Sequence, residues 1–483
     1  MQLKSHYPSK TIYIIGIEGA GTSALARLYV DLGYQVLGSD EGDHFYNDVL
    51  QEKNINVFSH YQAKNLPLKL DWIVYSTSIK KDNPEYQEAQ KRKIKMLSYP
   101  EAVANLFNQK LGLAVCGTHG KTTTTAFLAH IFKTANKNPQ ALVGSKVLNW
   151  GSNSLTGKGE YFIFEADEYQ NKLKYYNPYA VILTSLDWDH PDFYPNFDMY
   201  QQVFIDFINK VSLTGWVVYN NDDSNVIEVI KKSVLKNNLI SYGFHSESDY
   251  QIINRKVIQS DEENKWGESF QVINSEKNWK ADFKLNLIGR HNILNATSAI
   301  VLAVKLGINI SVIQKALRDF QGTVRRFEYK GNYKRAIIID DYAHHPEEIR
   351  ATIKTAREIF PQKSIYVFFH PHSFSRTQAL LDDFAQSLSL ADKIYILDIY
   401  GSVREKEGEV SSNNIVSLIN KYQKEKAYMV GNLTMAQKKL EEIASPSQVI
   451  ITMGAGDVWK IVPQNRKGKF KNNFFKYVKK YYH

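Results

Sequence analysis

The strongest constraint on this chain lies in residues 112–126, GLAVCGTHGKTTTTA, where an apolar strand runs into Gly117-Thr118-His119-Gly120-Lys121-Thr122 and then into a helix-compatible segment. A strand, a glycine turn and a helix in that order make a phosphate cradle. The glycines let backbone N–H groups approach an anion closely, and the helix begins with its positive end at the same point. Lys121 adds a point charge, and the Thr122 hydroxyl can ligate Mg²⁺. The longer pattern G-x-x-x-x-G-K-[ST] is not met, because Val115 stands where its first glycine belongs. A loop of this kind belongs to an α/β sheet, with the ligand at the carboxyl ends of parallel strands.

At 483 residues with 43% apolar content, the chain has material for roughly three domains with real cores. No stretch reads as a signal peptide, and no run of 18 or more apolar residues occurs. A cytoplasmic enzyme is the expectation. The single cysteine, Cys116, cannot form an intrachain disulfide, and its place at the end of an apolar strand predicts a buried, inert thiol. The net charge of +10 suggests nucleic acid until its distribution is examined: residues 464–483 hold seven Lys and Arg and no acid, leaving +3 for the rest. That basic, aromatic tail reads as a solvated extension able to make weak contact with anionic surfaces, and not as a specific nucleic-acid site.

The first segment opens with a strand over residues 11–16, the turn Gly16-Ile17-Glu18-Gly19-Ala20-Gly21, an apolar-periodic stretch from Ser23 to Leu32, and a second strand ending at Asp40. This is the start of a Rossmann-like unit. The G-x-x-G-x-G spacing disfavours a nicotinamide dehydrogenase but suits a diphosphate, which needs only the open turn and the helix start. A strand over 72–79 carries Ser76, Thr77 and Ser78 toward the same crevice. In the central segment, the strand YFIFEADE ends in Glu165, Asp167 and Glu168, and AVILTSLDWDH ends in Asp187, Asp189 and His190. Two strand-end sets of oxygen and imidazole groups beside a phosphate loop suit divalent-metal phosphoryl chemistry. Further on, Gly289-Arg290-His291-Asn292 opens an amphipathic helix whose amides suit a purine edge. Beyond residue 325, strand and helix signals repeat. Asp341, Tyr342, His344 and His345 end one strand and His372 and Arg376 end the next. No His/Cys set there has structural-zinc spacing, and the H-x-x-x-R pair suits an anionic substrate, since a guanidinium forks onto a carboxylate.

The motifs IYIIGIEGAGTSALA, CGTHGKTTTT, EADEY, DWDHPD, GRHNILNA, RRFE, DDYAHHPEE, HPHSFSRT and MGAGD resemble, in type and order, those of the Mur ligase family, the peptidoglycan amino-acid ligases. The resemblance covers most of residues 10–462. It implies an α/β, three-domain architecture with Rossmann-like N-terminal and C-terminal domains around a central P-loop ATPase-type domain: residues 1–110 for a UDP-sugar, 111–324 for ATP, 325–462 closing over the site, and 463–483 as the tail. It further implies ATP and Mg²⁺ as cofactors and joining of an amino acid, alanine in the nearest pattern, to UDP-N-acetylmuramate through an acyl phosphate. The residues it implies for ATP are Gly117, Thr118, His119, Gly120, Lys121, Thr122, Thr123, His291, Asn292, Asn295, Arg326 and Asp341. For the UDP-sugar they are Gly16, Gly19, Gly21, Asp40, Ser76, Thr77 and Ser78. Tyr342, His344, His372 and Arg376 are implied for the amino acid, and Thr122, Glu165 and His190 for metal. Lys121, His190, His344 and Arg376 carry the catalytic expectation.

Two positions depart from the family pattern. Glu18 stands where a glycine is usual, placing a carboxylate beside the diphosphate turn. Ser373 stands where alanine-adding members commonly carry arginine, which leaves alanine, glycine and serine as acceptors. A tripeptide-adding recycling ligase is the alternative within the family, disfavoured by Pro371, His372, Arg376 and Thr377; a nucleic-acid-stimulated NTPase is the alternative outside it.

Overall fold

The structure, a computed structural model, describes residues 10–41, 46–235, 238–259, 266–274, 276, 278–401 and 408–463; the basic tail lies outside them. Three sheets follow one another along the chain. The first has five strands, all parallel, in the spatial order Asn56–Phe58, Gln35–Ser39, Thr11–Ile15, Trp72–Tyr75, Met96–Ser98. The strand order reverses beside Thr11–Ile15, so the Gly16 turn and Ser76-Thr77 open onto one crevice at the carboxyl edge. Gly16 takes a φ of +77° there, and Gly19 caps the helix Ala20–Asp31.

The second sheet has ten strands, and Leu111–Cys116 lies near its middle, hydrogen-bonded in parallel to Tyr161–Glu165 on one side and Ala180–Leu183 on the other. Burial on both faces explains the near-continuous apolar run LGLAVC. Cys116 is fully buried and free, and burial pushes its thiol up. The far end of this sheet turns antiparallel over Tyr250–Gln259, Trp266–Asn274 and Trp279–Leu285. The third sheet runs Glu328–Tyr333, Ala336–Asp341, Gln448–Met453, Ser364–Phe369, Lys393–Leu397, Ala427–Gly431, parallel apart from its first pair.

The apolar core is continuous from the first domain into the second, where Phe107 meets Phe162, Phe164 and Tyr176 with ring centroids 5.7 to 5.9 Å apart. The third domain has its own core, which Ile288 alone enters from the central domain among the described residues. Polar contacts join it to the rest, the kind of interface that permits domain motion.

Candidate active site

The phosphate loop is shaped by two glycines. Gly117 has a φ of +125°, and a Cβ there would stand 2.3 Å from Thr184 Oγ1. Gly120, at +77°, caps the helix Lys121–Thr134 with no side-chain acceptor across its first N–H groups. Lys121 folds back over the loop and donates to the carbonyls of Gly117 and Thr118, at 2.6 and 3.2 Å, and to Glu168 Oε2 at 2.9 Å. Burial opposes its charge, but the carboxylates of Glu168, Asp167 and Glu165 outweigh it and keep the lysine protonated. The Thr122 hydroxyl donates to Glu165 Oε1 at 2.9 Å, while Glu165 Oε2 accepts from the Gly144 amide at 2.7 Å.

Thr122 and Glu165 thus meet, and His190, for which the family resemblance implies a second Mg²⁺, stands in a separate set. Asp167, Glu168 and His190 each offer one ligand atom, all within 4.8 Å of one another. His190 sits at a φ of +56° with the Tyr169 ring 4.5 Å from its own, a left-handed conformation that side chains adopt at some cost and that clusters at functional sites. Oxygen and imidazole ligands in this number suit a hard divalent ion that takes its remaining ligands from phosphate and water.

A cavity of about 820 Å³ joins the three domains. The first contributes Glu18, Gly19, Gly21, Ser76, Thr77 and Tyr99; the second contributes Thr118 to Thr122, Glu165, Asp167, Lys172 and His190; the third contributes Arg326, Tyr342, His344, His345 and Glu348. A second cavity of about 200 Å³ meets it at His119 and Gly120 and is lined by Thr123, His291, Asn292, Asn295, Arg326 and Asp341. Burial, then the charges of Arg326 and Arg255, hold His291 down to about 4, so its imidazole is neutral. Burial, opposed by Arg326, lifts Asp341 to about 6; its oxygens accept from the amides of Phe327 and Ala343.

Several expected residues point elsewhere. Asp40 accepts from the Glu18 amide at 2.8 Å and the Tyr61 hydroxyl at 2.9 Å, so it braces the glycine turn from behind and does not line the cavity. Gly16 shapes the turn without lining the cavity, and Ser78 is absent from the lining while its hydroxyl sits 2.8 Å from that of Ser76. Arg376 does fork onto a carboxylate, but one of this chain: its Nε and Nη2 lie 2.9 and 3.2 Å from Asp189, and its Nη1 is 3.3 Å from His372 Nδ1. Burial disfavours both charges and each stabilises the other, so Asp189 is held well below the carboxylate range. Arg376 thus bridges the second and third domains, with His372 beside it, and neither residue is among those that line the cavity. Ser373, at a φ of +74°, accepts from the Arg376 amide and caps the short helix that carries it.

Glu348 is the residue that sequence reading passed over. It lies on the helix Pro346–Ile359, where an acid two residues after proline reads as ordinary first-turn charge. In the structure it accepts from the His344 amide at 3.1 Å, stands 3.3 Å from His119 Nδ1 and lies 3.6 Å from Arg326. His119 Nε2 is 3.0 Å from Asp187, an ion-pair contact off the line of a hydrogen bond. Burial pulls His119 down, but Asp187 and Glu348 outweigh it and push it up to about 10; His345, its ring 4.6 Å away, is held down to about 4 by burial and then by that charge.

Comparison with known proteins identifies the family and the fold. Three family descriptions match in sequence: the Mur ligase family, catalytic domain, over residues 11–111; the Mur ligase middle domain, over 115–303; and the Mur ligase, glutamate ligase domain, over 325–456. The chain is 36% identical over 463 residues to the UDP-N-acetylmuramate–L-alanine ligase of Caldanaerobacter subterraneus subsp. tengcongensis, covering 95% of this chain and 98% of that one. It is 37% identical to the enzyme so named from Clostridium acetobutylicum, covering 94% and 96%. Among solved structures, the UDP-N-acetylmuramate–alanine ligase of Thermotoga maritima superposes with a TM-score of 0.77 at 26% identity, over 93% of this chain and 97% of that one. A murein peptide ligase from Psychrobacter arcticus shares the fold, with a TM-score of 0.72 at 24% identity over 94% and 97%. A phosphate loop at the junction of three domains, and relatives matched over nearly their whole length, lead to one conclusion: the chain belongs to the Mur ligase family.

Proposed function

We propose that this protein joins L-alanine to UDP-N-acetylmuramate at the expense of ATP, a step of peptidoglycan precursor synthesis. The observation that carries the reading is the 820 Å³ cavity, in which the phosphate loop lies between the first domain's glycine turn and the third domain's Tyr342 and His344. The three substrates can be apportioned to its three walls. The N–H groups at the start of helix Ala20–Asp31, with Ser76 and Thr77, receive the diphosphate of the nucleotide sugar. The adenine enters the second cavity against Asn292 and Asn295, with the ribose near Asp341. The triphosphate then runs along Gly120, Lys121 and Thr122.

The muramate lactyl carboxylate attacks the γ-phosphorus, giving an acyl phosphate and ADP. The alanine amine then attacks the acyl carbon, phosphate leaves, and the amine proton passes out beside His344. Lys121 contributes charge where phosphoryl oxygens develop theirs, exchanging its contact with Glu168 for one with the nucleotide. Thr122 with Glu165, and Asp167 with Glu168 and His190, are the groups that would hold Mg²⁺, which in such sites neutralises phosphoryl charge. Tyr342 and His344 face the acceptor, and the third domain keeps water from the acyl phosphate. No helix among the described residues is long and apolar enough to cross a membrane; we assign the reaction to the cytoplasm, where ATP is available.

The test is direct. The protein is incubated with ATP, Mg²⁺ and UDP-N-acetylmuramate, single amino acids or the stem tripeptide are added, and phosphate release is followed with mass analysis of the nucleotide product. Alanine-dependent release with a product heavier by one alanyl residue is expected. Release that needs the tripeptide, or that runs without any sugar nucleotide, would overturn the reading.

A further inference from the structure

A feature outside the reaction chamber ties the third domain to the adenine pocket. The antiparallel strands Tyr250–Gln259 and Trp266–Asn274 lose register between Ile253 and Lys256, and Asn254 there adopts a φ of +54°. Such a bulge re-aims the side chain beside it and recurs near functional sites. Here it aims Arg255 so that its guanidinium meets two carboxylates from different domains. Its Nε and Nη2 donate to Glu268 at 3.0 and 2.7 Å, and Nη2 also donates to Glu358 of the third-domain helix Pro346–Ile359 at 2.8 Å.

Glu268 is fully buried, and its Oε1 accepts in turn from the Gly289 amide at 2.8 Å. Gly289, at a φ of +114°, is the residue from which the helix Arg290–Lys305 departs, and that helix presents His291, Asn292 and Asn295 to the pocket. The opposite wall of the same pocket is the third-domain helix, through Ala351 and Thr352. A Cβ on Gly289 would stand 2.9 Å from Thr355 Oγ1 of that helix, so the two walls touch where the relay ends.

We propose that Arg255 is a positioning residue that couples closure of the third domain to nucleotide binding: the Glu358, Arg255, Glu268 and Gly289 relay fixes the turn that launches the adenine-reading helix only when the opposite wall is in place. The inference rests on the assignment of the smaller cavity to ATP. A bidentate guanidinium suits this role because it can hold one carboxylate with two parallel bonds and still reach a second.

The test begins with Glu358→Gln, which weakens the interdomain leg and leaves Arg255 on the buried Glu268. ATP affinity of the full chain should fall by about fivefold to tenfold, the low end of the coupling range usual between linked sites, while the KM for UDP-N-acetylmuramate stays unchanged. Arg255→Lys should lower ATP affinity as much or more, and adding Glu358→Gln to it should have little further effect. Unchanged ATP affinity in Glu358→Gln, or effects of the two substitutions that simply multiply, would overturn the coupling. Asn295→Ala separates this from the underlying assignment: if that variant binds ATP normally, the pocket itself is wrong; if it binds ATP weakly while Glu358→Gln does not, only the relay is.

Discussion

Lys121 illustrates why a single side chain here has to be judged by its partners. It is the counter-charge of Glu168, which is 1% exposed, so Lys121→Ala removes a phosphate ligand and strands a buried carboxylate together. Ligation should fall by about a hundred- to a thousandfold or more, the range for deleting a preorganised charge, and phosphate release under saturating ATP measures it; near-parental turnover would remove this loop from the chemistry. Asp341 gives a prediction in pH. Because burial lifts it to about 6, the folded state takes up this proton more readily than the unfolded chain. Its contribution to stability is present below its ordinary value near 3.8 and is lost as pH rises through 6. Its hold on a ribose hydroxyl needs the ionised form, so the KM for ATP should rise as pH falls below about 6. Asp341→Asn should give a flat profile with a uniformly raised KM; an inflection that survives this substitution assigns the titration to another group.

At the scale of elements, the glycine turns and the strands feeding them were legible in the sequence, because a parallel strand buried on both faces leaves a continuous apolar run and a phosphate turn demands glycine at fixed places. Gly117 carries that argument furthest. Gly117→Ala would put a methyl group 2.3 Å from Thr184 Oγ1 and 2.8 Å from the Ser185 carbonyl, on a backbone that disfavours any Cβ, at a strain of about 1–3 kcal/mol. A lowered Tm and loss of ATP binding should appear together, by thermal unfolding and nucleotide titration; a variant that keeps both shows that the turn tolerates a Cβ. What sequence did not disclose is which neighbour each group had already taken. Arg376 and Asp189 are 187 positions apart, and no local pattern relates them, so the sequence shows an arginine shaped for a carboxylate without showing that a carboxylate of this chain meets it. Glu348 was hidden for the opposite reason: a first-turn acid is so ordinary a helix feature that it carried no signal. Asp40 is the converse case, named for the UDP-sugar because its use in bracing a turn is indistinguishable in sequence from contact with a ligand.

The molecule as a whole is two domains fused through a common core and a third held by charge. Asp189→Ala would leave Arg376, 4% exposed, without its partner, a loss of about 3–5 kcal/mol for a broken buried pair. That energy should appear as a more open particle by small-angle scattering and as poorer use of ATP and alanine together. An unchanged scattering profile would mean that the pair does not hold the domains. The contact of His119 with Glu348 adds a pH dependence: Asp187 of its own domain and Glu348 together raise His119 to about 10, only the Glu348 share belongs to closure, and that stabilisation of the closed form is lost over the interval in which pH rises toward and through 10. The scattering radius should therefore grow over that interval, and Glu348→Gln should flatten the change; growth of equal size in the variant would exclude this pair as its source. The helix Pro346–Ile359 has a consequence for timing. Its first turn lies against the phosphate loop and its middle forms a wall of the smaller cavity, so, with the adenine there as proposed, spent ADP and the acyl phosphate sit behind one door. Opening it to discharge the nucleotide also admits water to the activated carboxyl. Fidelity then becomes a race between amine capture and door opening, and the leak is read as phosphate released in excess of peptide bonds made.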